Sequence, residues 1–413
     1  MNDTDLKALE AKFEATNARI QAFLPEKGRF DRLRQEILAL EARFPDPAAR
    51  PPLYGVLIGV KDIFHVDGMP TQAGSRLPAD LLTGPEAECV TQLKAAGALV
   101  LGKTVTTEFA YFAPGPTRNP HNLAHTPGGS SSGSAAAVAA GLCPLALGTQ
   151  TIGSILRPAA FCGVIGFKPS FGRISSAGVI PFSPSLDHVG FFVRDVADAT
   201  LAAAILCREW NDETGSGDEA KKAPVLGLPV GPYLQKASPE GLAHFQAVQQ
   251  KLQQAGFELR PVEIMANFEE IAAAHQSLAA AEAAMVHREW YADFSGLYHP
   301  KTAALIERGQ QVSPEQIERY RAGRELLRQE LTAVMAEQGV SAWIAPAAVG
   351  VAPASLDSTG DPIMNLPWTY AGLPTISLPS GSLDGLPLGL QIVAGWYQDE
   401  KLLAWAQKIM PAL

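Results

Sequence analysis

Cysteine is scarce in this chain of 413 residues: it occurs four times, at the widely separated positions Cys89, Cys143, Cys162 and Cys207. The sequence has no Cys-x-x-Cys pair and no paired Cys/His spacing, which are the usual marks of a zinc site. We therefore expect no bound metal, and we interpret the cysteines as small buried side chains in a reducing compartment.

Charge and long apolar runs are also limited. Charged residues make up 18% of the chain, the net charge is −9, and no basic stripe appears, which argues against nucleic acid as a partner. No apolar run reaches the length of a membrane span, and the charged, amphipathic first twenty residues lack the apolar core of a signal peptide. We expect a cytoplasmic protein that binds neither nucleic acid nor membrane.

Apolar residues, in contrast, make up 47% of the chain, enough to bury a sizeable core. Residues 53–64 form a near-continuous apolar run typical of a strand buried on both faces, residues 85–97 are typical of a helix, and residues 98–104 of the next strand. Such alternation predicts parallel strands joined by crossover helices. The expected fold class is α/β: a single large α/β/α sandwich whose mostly parallel mixed sheet is flanked by helices.

Residues 97–104 match the phosphate-binding pattern Gly-x4-Gly-Lys-Ser/Thr letter for letter. That pattern binds phosphate only when its middle residues form a loop that follows a strand and opens a helix. Here the middle residues are Ala, Leu, Val and Leu, which predict the strand itself. Nucleotide binding is therefore only a remote alternative.

A Gly/Ser-rich segment, "TPGGSSSGSAAAVAAG", opens a fifty-residue stretch at residues 126–175 and runs directly into apolar sequence. Upstream lies "GVLIGVKDIFHVDGMPTQAGS" at residues 55–75, followed by "PGPTRNPHN" at residues 114–122. Near the end of the chain comes "NLPWTYAGLPTISLPSGSLDGLPLGLQIVAG". Together these segments, in this order, resemble the amidase signature family over most of residues 53–411.

The resemblance implies a Ser–Ser–Lys triad. Lys61 in "GVKDIF" would be the base, Ser130 after "PGG" the proton relay, and Ser154 in "TIGSI", 24 residues later, the nucleophile. The family's relay serine follows a cis peptide bond, so we expect Gly129–Ser130 to be cis. These roles suit the residue types, because a serine hydroxyl needs an adjacent base and burial makes a lysine amine neutral.

The resemblance also implies an oxyanion hole, made by the backbone N–H groups of Thr151, Ile152, Gly153 and Ser154. The family usually has glycine where Ile152 stands, but a backbone donor does not depend on its side chain. Removing one such donor typically lowers the rate by about 10²–10³-fold.

Two charged residues that the family commonly has close to this segment are absent from this sequence. Gln150 stands where the family commonly has Asp, and Leu156 where it has Arg, with Arg157 one residue later. Losing both partners avoids a lone buried charge, so we expect a neutral layer that supports the site.

The candidate substrate contacts come from several segments of the chain. A short loop at residues 108–120 predicts an open pocket with an aromatic edge. Asp62 either orients the base or serves a turn, and His121, His125 and His188 are interpreted as structural. The residues expected to touch the substrate are Gly129, Ser131, Gln150, Trp368, Tyr111 and Phe112.

The resemblance divides the expected single domain, residues 1–413, into four parts. These are N-terminal helices (1–50), the catalytic signature core (53–200), a mostly helical region on the substrate side (205–340), and strands and a helix that complete the sheet (341–413).

The expected activity is hydrolysis of the C–N bond of a small amide through an acyl-enzyme at Ser154, without metal or cofactor. A carbamate such as a urethane, or an ester, is a related substrate, and the protein would act as a monomer or homodimer. One alternative is a glutaminase-type subunit of an amidotransferase, which needs a partner protein. Another is a non-catalytic binding module on the same scaffold.

Overall fold

A computed structural model describes residues 3–217 and 222–413 and arranges them around one mixed sheet. Its strands are β1 (Leu57–Lys61), β2 (Leu99–Thr104), β3 (Leu145–Gln150), β4 (Ile165–Lys168), β5 (His188–Val193), β6 (Leu226–Val230), β7 (Leu259–Glu263), β8 (Ala342–Pro346), β9 (Thr375–Leu383) and β10 (Leu386–Ala394). Across the sheet their order is β2-β1-β3-β5-β4-β9-β10-β8-β6-β7.

The sheet is parallel at its two ends and antiparallel in its centre. Strand β1 is parallel to β2 and β3, and β6 is parallel to β7 and β8. The five pairs between β3 and β8 are antiparallel. The mixed sheet is confirmed, but parallel pairs do not predominate as expected: of the nine strand pairs in the described residues, four are parallel and five are antiparallel.

The β9–β10 pair illustrates this central geometry. The two strands are joined by Asp384 and Gly385, whose φ angles are 52° and 78°. An Asp-Gly pair with two positive φ angles is the sequence that favours a tight hairpin. The last two strands of the described chain therefore form a hairpin.

Helices cover both faces of the sheet. They are α1 (Asp3–Ile20), α2 (Arg29–Arg43), α3 (Glu88–Ala95), α4 (Ser132–Ala139), α5 (Leu156–Cys162), α6 (Val196–Leu206), α7 (Asp212–Ser216), α8 (Pro239–Gln254), α9 (Phe268–Val286), α10 (Arg288–Phe294), α11 (Pro300–Gly309), α12 (Pro314–Gln338), α13 (Leu366–Tyr370) and α14 (Asp399–Ile409).

Successive residues of a strand place their side chains in two different apolar cores, one on each face of the sheet. Leu99 and Leu101 of β2 and Ala146 of β3 pack with α1, α2 and α4, whereas Val100 and Leu147 belong to the core on the opposite face. Side chains alternate across a strand, so a strand that is buried on both faces must be apolar at every position. The sandwich predicted from these apolar runs is confirmed.

Several helices of the region 205–340 begin at a serine followed by proline. Ser238 precedes Pro239 at the start of α8, and Ser313 precedes Pro314 at the start of α12. The Ser313 hydroxyl accepts from the N–H of Gln316, and the Gln316 side chain accepts from the N–H of Ser313. This reciprocal capping satisfies donors that the first helical turn leaves open.

The residues that resemble a phosphate loop form strand β2 instead. Lys103 lies within that strand, and its Nζ is 2.8 Å from an oxygen of Asp62, with both side chains buried. The segment is therefore a strand with a buried ion pair, as its apolar middle residues predicted.

Among the described residues, no helix has both the length and the apolar character that a bilayer crossing requires. Within the same residues, no group of His, Cys, Asp and Glu side chains is arranged to hold a metal ion. The four cysteines are free and buried, as expected.

Candidate active site

Parallel pairing of β1 and β3 brings two chain segments together at the carboxyl ends of these strands. Lys61 is the last residue of β1, and Gln150 is the last residue of β3. Ser130 lies just before α4, the helix that leads into β3, and Ser154 lies between β3 and α5. The strand ends therefore bring Lys61 close to the segments that carry Ser130 and Ser154, the residues predicted as relay and nucleophile.

Lys61 has no exposed surface, and its Nζ lies 2.7 Å from Ser130 Oγ and 2.8 Å from Thr149 Oγ1. Burial lowers the pKa of Lys61 well below its ordinary value, and the charge of Asp187 opposes this shift. A buried amine bonded to two neutral hydroxyls is stabilised as the free base. Lys61 thus has the environment expected of a general base.

The Gly129–Ser130 peptide bond is cis, as expected. Polar contacts hold the segment on both sides of this bond. Arg157 Nη2 donates to the Gly129 carbonyl at 2.6 Å, and Ser131 Oγ donates to the Thr149 carbonyl at 3.2 Å. Gly129 and Ser131 are both buried, so these contacts give them a role in shaping the relay segment.

Gln150 holds the start of α5, immediately after the nucleophile. Its Oε1 accepts from the N–H groups of Ile155 at 2.8 Å and Leu156 at 3.0 Å, and its Nε2 donates to Thr369 Oγ1 at 2.9 Å. A neutral amide therefore does here what a carboxylate at this position would do. Gln150 is fully buried and has this bracing role, while its predicted substrate contact stays a prediction.

The candidate oxyanion segment is fixed through its side chains and carbonyls. His275 Nε2 donates to the Thr151 carbonyl at 2.9 Å, and Thr369 Oγ1 donates to the Ile152 carbonyl at 2.6 Å. Burial lowers the pKa of His275 to about 4, so this imidazole stays neutral. In the described chain, the N–H groups of the four predicted oxyanion donors, Thr151, Ile152, Gly153 and Ser154, have no protein acceptor.

Gly153 lies against a neighbouring segment with no room for a side chain. A Cβ there would be 2.3 Å from Asn365 Oδ1 and 2.9 Å from Pro362 Cβ. Ser154, the next residue, is 7% exposed. The backbone of this segment is thus held in place by close packing.

A model of the Amidase family matches residues 6–403. The chain belongs to the amidase signature family. Among its relatives is one of the subunits of the glutamyl-tRNA(Gln) amidotransferase of Koribacter versatilis (strain Ellin345). The two sequences are 32% identical over 97% of this chain and 93% of the relative.

Solved structures agree with this assignment. The fold matches an amidase crystal structure with a TM-score of 0.85 and 32% identity, covering 99% of this chain and 95% of that one. It also matches a peptide amidase in complex with the inhibitor chymostatin, with a TM-score of 0.86 and 28% identity, covering 100% and 94% of the two chains.

Gln150 and Leu156 are both buried and uncharged beneath the site of this amidase-family chain, as expected, and Arg157 adds one charged side chain to that layer. Arg157 is 2% exposed, and its Nη1 donates to the Gly360 carbonyl at 2.5 Å while its Nη2 donates to Gly129. Burial lowers the pKa of Arg157 to about 9, and the charge of Asp361 opposes that shift. A guanidinium therefore lies under the relay segment, held by carbonyl groups.

The predicted aromatic edge is only partly where it was expected. A cavity of about 290 Å³ borders Thr149, and Phe182 lines it. In the described residues, Tyr111 and Phe112 are not part of that lining; the Tyr111 ring packs 5.6 Å from the Phe182 ring and 4.7 Å from the Phe112 ring. Tyr111 therefore packs against Phe182 of the cavity wall, and Phe112 packs against Tyr111.

Trp368 is a core residue in this amidase-family chain. It has no exposed surface, and its indole N–H donates to the Tyr233 hydroxyl at 2.8 Å. The predicted contact between Trp368 and substrate stays a prediction, and the contacts seen here are those of core packing. The adjacent Thr369, which bonds to Gln150 and to the Ile152 carbonyl, is the residue of that segment that reaches the site.

The remaining polar residues near the motifs have structural partners. His121 Nε2, His125 Nδ1 and His188 Nδ1 each lie 2.6–2.9 Å from a backbone carbonyl, which confirms their structural interpretation. Asp62 pairs with Lys103, so the structural alternative applies to Asp62.

Sequence reasoning missed several residues that hold the site together. One signal was visible: "SLDHVGFFV" places an acidic residue directly before an apolar strand. The missed residues are Thr149, Asp187, His275, Asn365 and Thr369.

Proposed function

We propose that this amidase-family protein is a serine hydrolase that cleaves the C–N bond of a small amide, with carbamates or esters as related substrates. One observation carries the proposal: the buried amine of Lys61 lies 2.7 Å from the hydroxyl of Ser130, next to the cis bond. A structural lysine would be costly to bury beside two neutral hydroxyls, whereas a general base gains from that environment.

In the proposed reaction, the Ser154 hydroxyl attacks the substrate carbonyl carbon. Its proton passes to Ser130, whose own proton passes to Lys61. The N–H groups of residues 152–154 stabilise the negative charge that develops on the carbonyl oxygen. Lys61 then returns a proton through Ser130 to the leaving nitrogen, and the C–N bond breaks to leave an acyl-enzyme and free amine.

Water completes the cycle by the same route in reverse. It attacks the acyl carbon and gives a proton through Ser130 to Lys61, and the Ser154 oxygen leaves and is protonated again. Each of these steps is carried by side chains, backbone groups and water. No step of this reaction calls for a metal or an organic cofactor.

The second candidate is a glutaminase-type subunit of an amidotransferase. It is favoured by the 32% identity to one component of such an enzyme over most of both chains. The same acyl-enzyme chemistry would release ammonia from glutamine, for use by a partner protein. A panel of aryl amides, aliphatic amides, urethanes and glutamine distinguishes the two candidates. Turnover of glutamine alone favours the second.

A serine-reactive fluorophosphonate tests the proposed nucleophile. We expect one phosphonyl group per chain on Ser154 in the native protein, and none in Ser154→Ala or after heat denaturation. The measurement is intact mass followed by peptide mapping. As a control, Ser216→Ala removes an exposed serine hydroxyl of α7 and should label like the native chain. Labelling that persists in Ser154→Ala would refute the assignment, and intact Ser154 that never reacts would favour a binding module.

A further inference from the structure

The carboxylate of Asp187 joins two parts of the site that are distant in sequence. One oxygen accepts from the Thr151 hydroxyl at 2.5 Å, and the other accepts from the N–H groups of Phe182 at 2.8 Å and Ser183 at 2.9 Å. Thr151 lies in the candidate oxyanion segment, while Phe182 lines the neighbouring cavity. One side chain thus ties the nucleophile segment to the cavity wall.

Asp187 also provides the charge that acts on the base. The hydrogen-bond partners of Lys61 are the neutral hydroxyls of Ser130 and Thr149, and the adjacent Asp62 is paired with Lys103. Among the described residues, Asp187 is the charged group that opposes the effect of burial on Lys61. It lines the same cavity as Thr149, whose hydroxyl is bonded to Lys61 Nζ.

We propose that Asp187 is a positioning residue of the hydrolase: its carboxylate holds the Thr151 segment against the cavity wall, and its negative charge acts on the buried amine of Lys61. This inference rests on the proposed function, because it assigns Asp187 a role in the action of Lys61 on Ser154. Asp187 acts through Thr151 and Lys61, without a bond to the reacting atoms.

Proton transfer explains why such a charge is useful. Burial alone makes Lys61 neutral but also a weaker base, and the rate of proton abstraction falls with base strength. A partly buried carboxylate restores part of that strength without forming an ion pair. Burial raises the pKa of Asp187 to about 6, so Asp187 is ionised at the alkaline pH where a neutral lysine acts.

The other groups near Asp187 are already neutral or neutralised. Glu282 on α9 accepts from Arg321 at 2.7 Å, and from the hydroxyls of Ser183 and Ser185 at 2.7 and 2.6 Å. His188 is buried, which together with nearby cations lowers its pKa well below the ordinary value. Neither group is bonded to Lys61, and the charge of Glu282 acts on Asp187, whose pKa it helps to raise.

The pH dependence of fluorophosphonate labelling at Ser154 tests this role without knowledge of the substrate. In the native chain, the labelling rate should rise with pH through the pKa of Lys61. Asp187→Asn removes a charge that raises that pKa, so the rising limb should move to lower pH by about 0.5–1 unit. The plateau rate should fall by about 10-fold or more, because Lys61 becomes a weaker base.

Matched variants separate charge from position. Thr151→Val should lower the plateau rate without moving the limb, because it removes the contact but keeps the carboxylate. Asp187→Glu should behave similarly, because it displaces the carboxylate but keeps its charge. Glu282→Gln alters a neighbouring carboxylate and should leave the limb in place.

If the rising limb of the pH profile stays at its native position in Asp187→Asn, or shifts equally in Glu282→Gln, the inference is overturned. This conclusion requires that Ser154 of the native chain is labelled. If Asp187→Asn does not fold, Asp187→Ser takes its place, with the same shift expected. Absence of labelling in the native chain would instead overturn the proposed function, so the two failures are distinguishable.

Discussion

Lys61→Met should abolish hydrolysis, with a loss of about 10⁴–10⁶-fold in kcat, while the protein remains folded. Methionine is one atom shorter than lysine and fills most of the same buried space, but its thioether cannot accept a proton from Ser130. Burying an amine costs free energy that an apolar side chain does not, so the free energy of unfolding should stay the same or rise. Turnover of the best amide of the panel and urea unfolding are the two measurements.

A second buried lysine gives the matched control. Lys103→Met leaves the buried carboxylate of Asp62 without its ion-pair partner, which should lower the free energy of unfolding by about 3–5 kcal/mol. The folded fraction of that variant should retain turnover. The two lysines should thus give opposite results, and Lys61→Met with activity within tenfold of the native enzyme would contradict the role of Lys61 as base.

Ser130→Ala should lower kcat by about 10²–10⁴-fold, because the proton then has no hydroxyl to pass between Ser154 and Lys61. The double variant with Lys61→Met should be no slower than the slower single variant, since both residues serve one proton path. Turnover of the two single variants and the double variant on the same substrate checks this.

Ser131→Ala is the control for loss of a neighbouring hydroxyl. Its Oγ donates to a carbonyl of β3 and not to Lys61, so its effect on kcat should be below about tenfold. Additive losses for Ser130→Ala and Lys61→Met would show that the two residues act independently and would contradict a shared relay.

The elements that sequence predicted best are long or strongly apolar. Strand β2 (Leu99–Thr104), strand β3 (Leu145–Gln150) and the β9–β10 hairpin coincide with apolar runs bounded by glycine or a turn. Strand β7 (Leu259–Glu263) was not predicted, because it is the outermost strand of the sheet, is half exposed and contains a proline. Strand β4 (Ile165–Lys168) has four residues, too short for a periodic signal.

In the candidate site too, features encoded by neighbouring residues were predicted, and contacts between distant residues were not. The candidate base, relay and nucleophile lie in continuous motifs, so a family resemblance was enough to number them. The contacts that hold those motifs join residues far apart in the chain: Arg157 to Gly360 over 203 positions, and Gln150 to Thr369 over 219. Such pairs follow from the packing of the sheet and helices, which no local pattern encodes.

The protonation of Lys61 is the central claim, and it can be measured directly by ¹³C NMR of the lysine ε-carbons. The resonance that disappears in Lys61→Met should titrate well below the ordinary lysine pKa of about 10.4. That result would show a neutral amine available to accept the proton of Ser154 at the pH of catalysis. A resonance that titrates near 10.4 or higher would show a charged ammonium at Lys61 and would contradict the account.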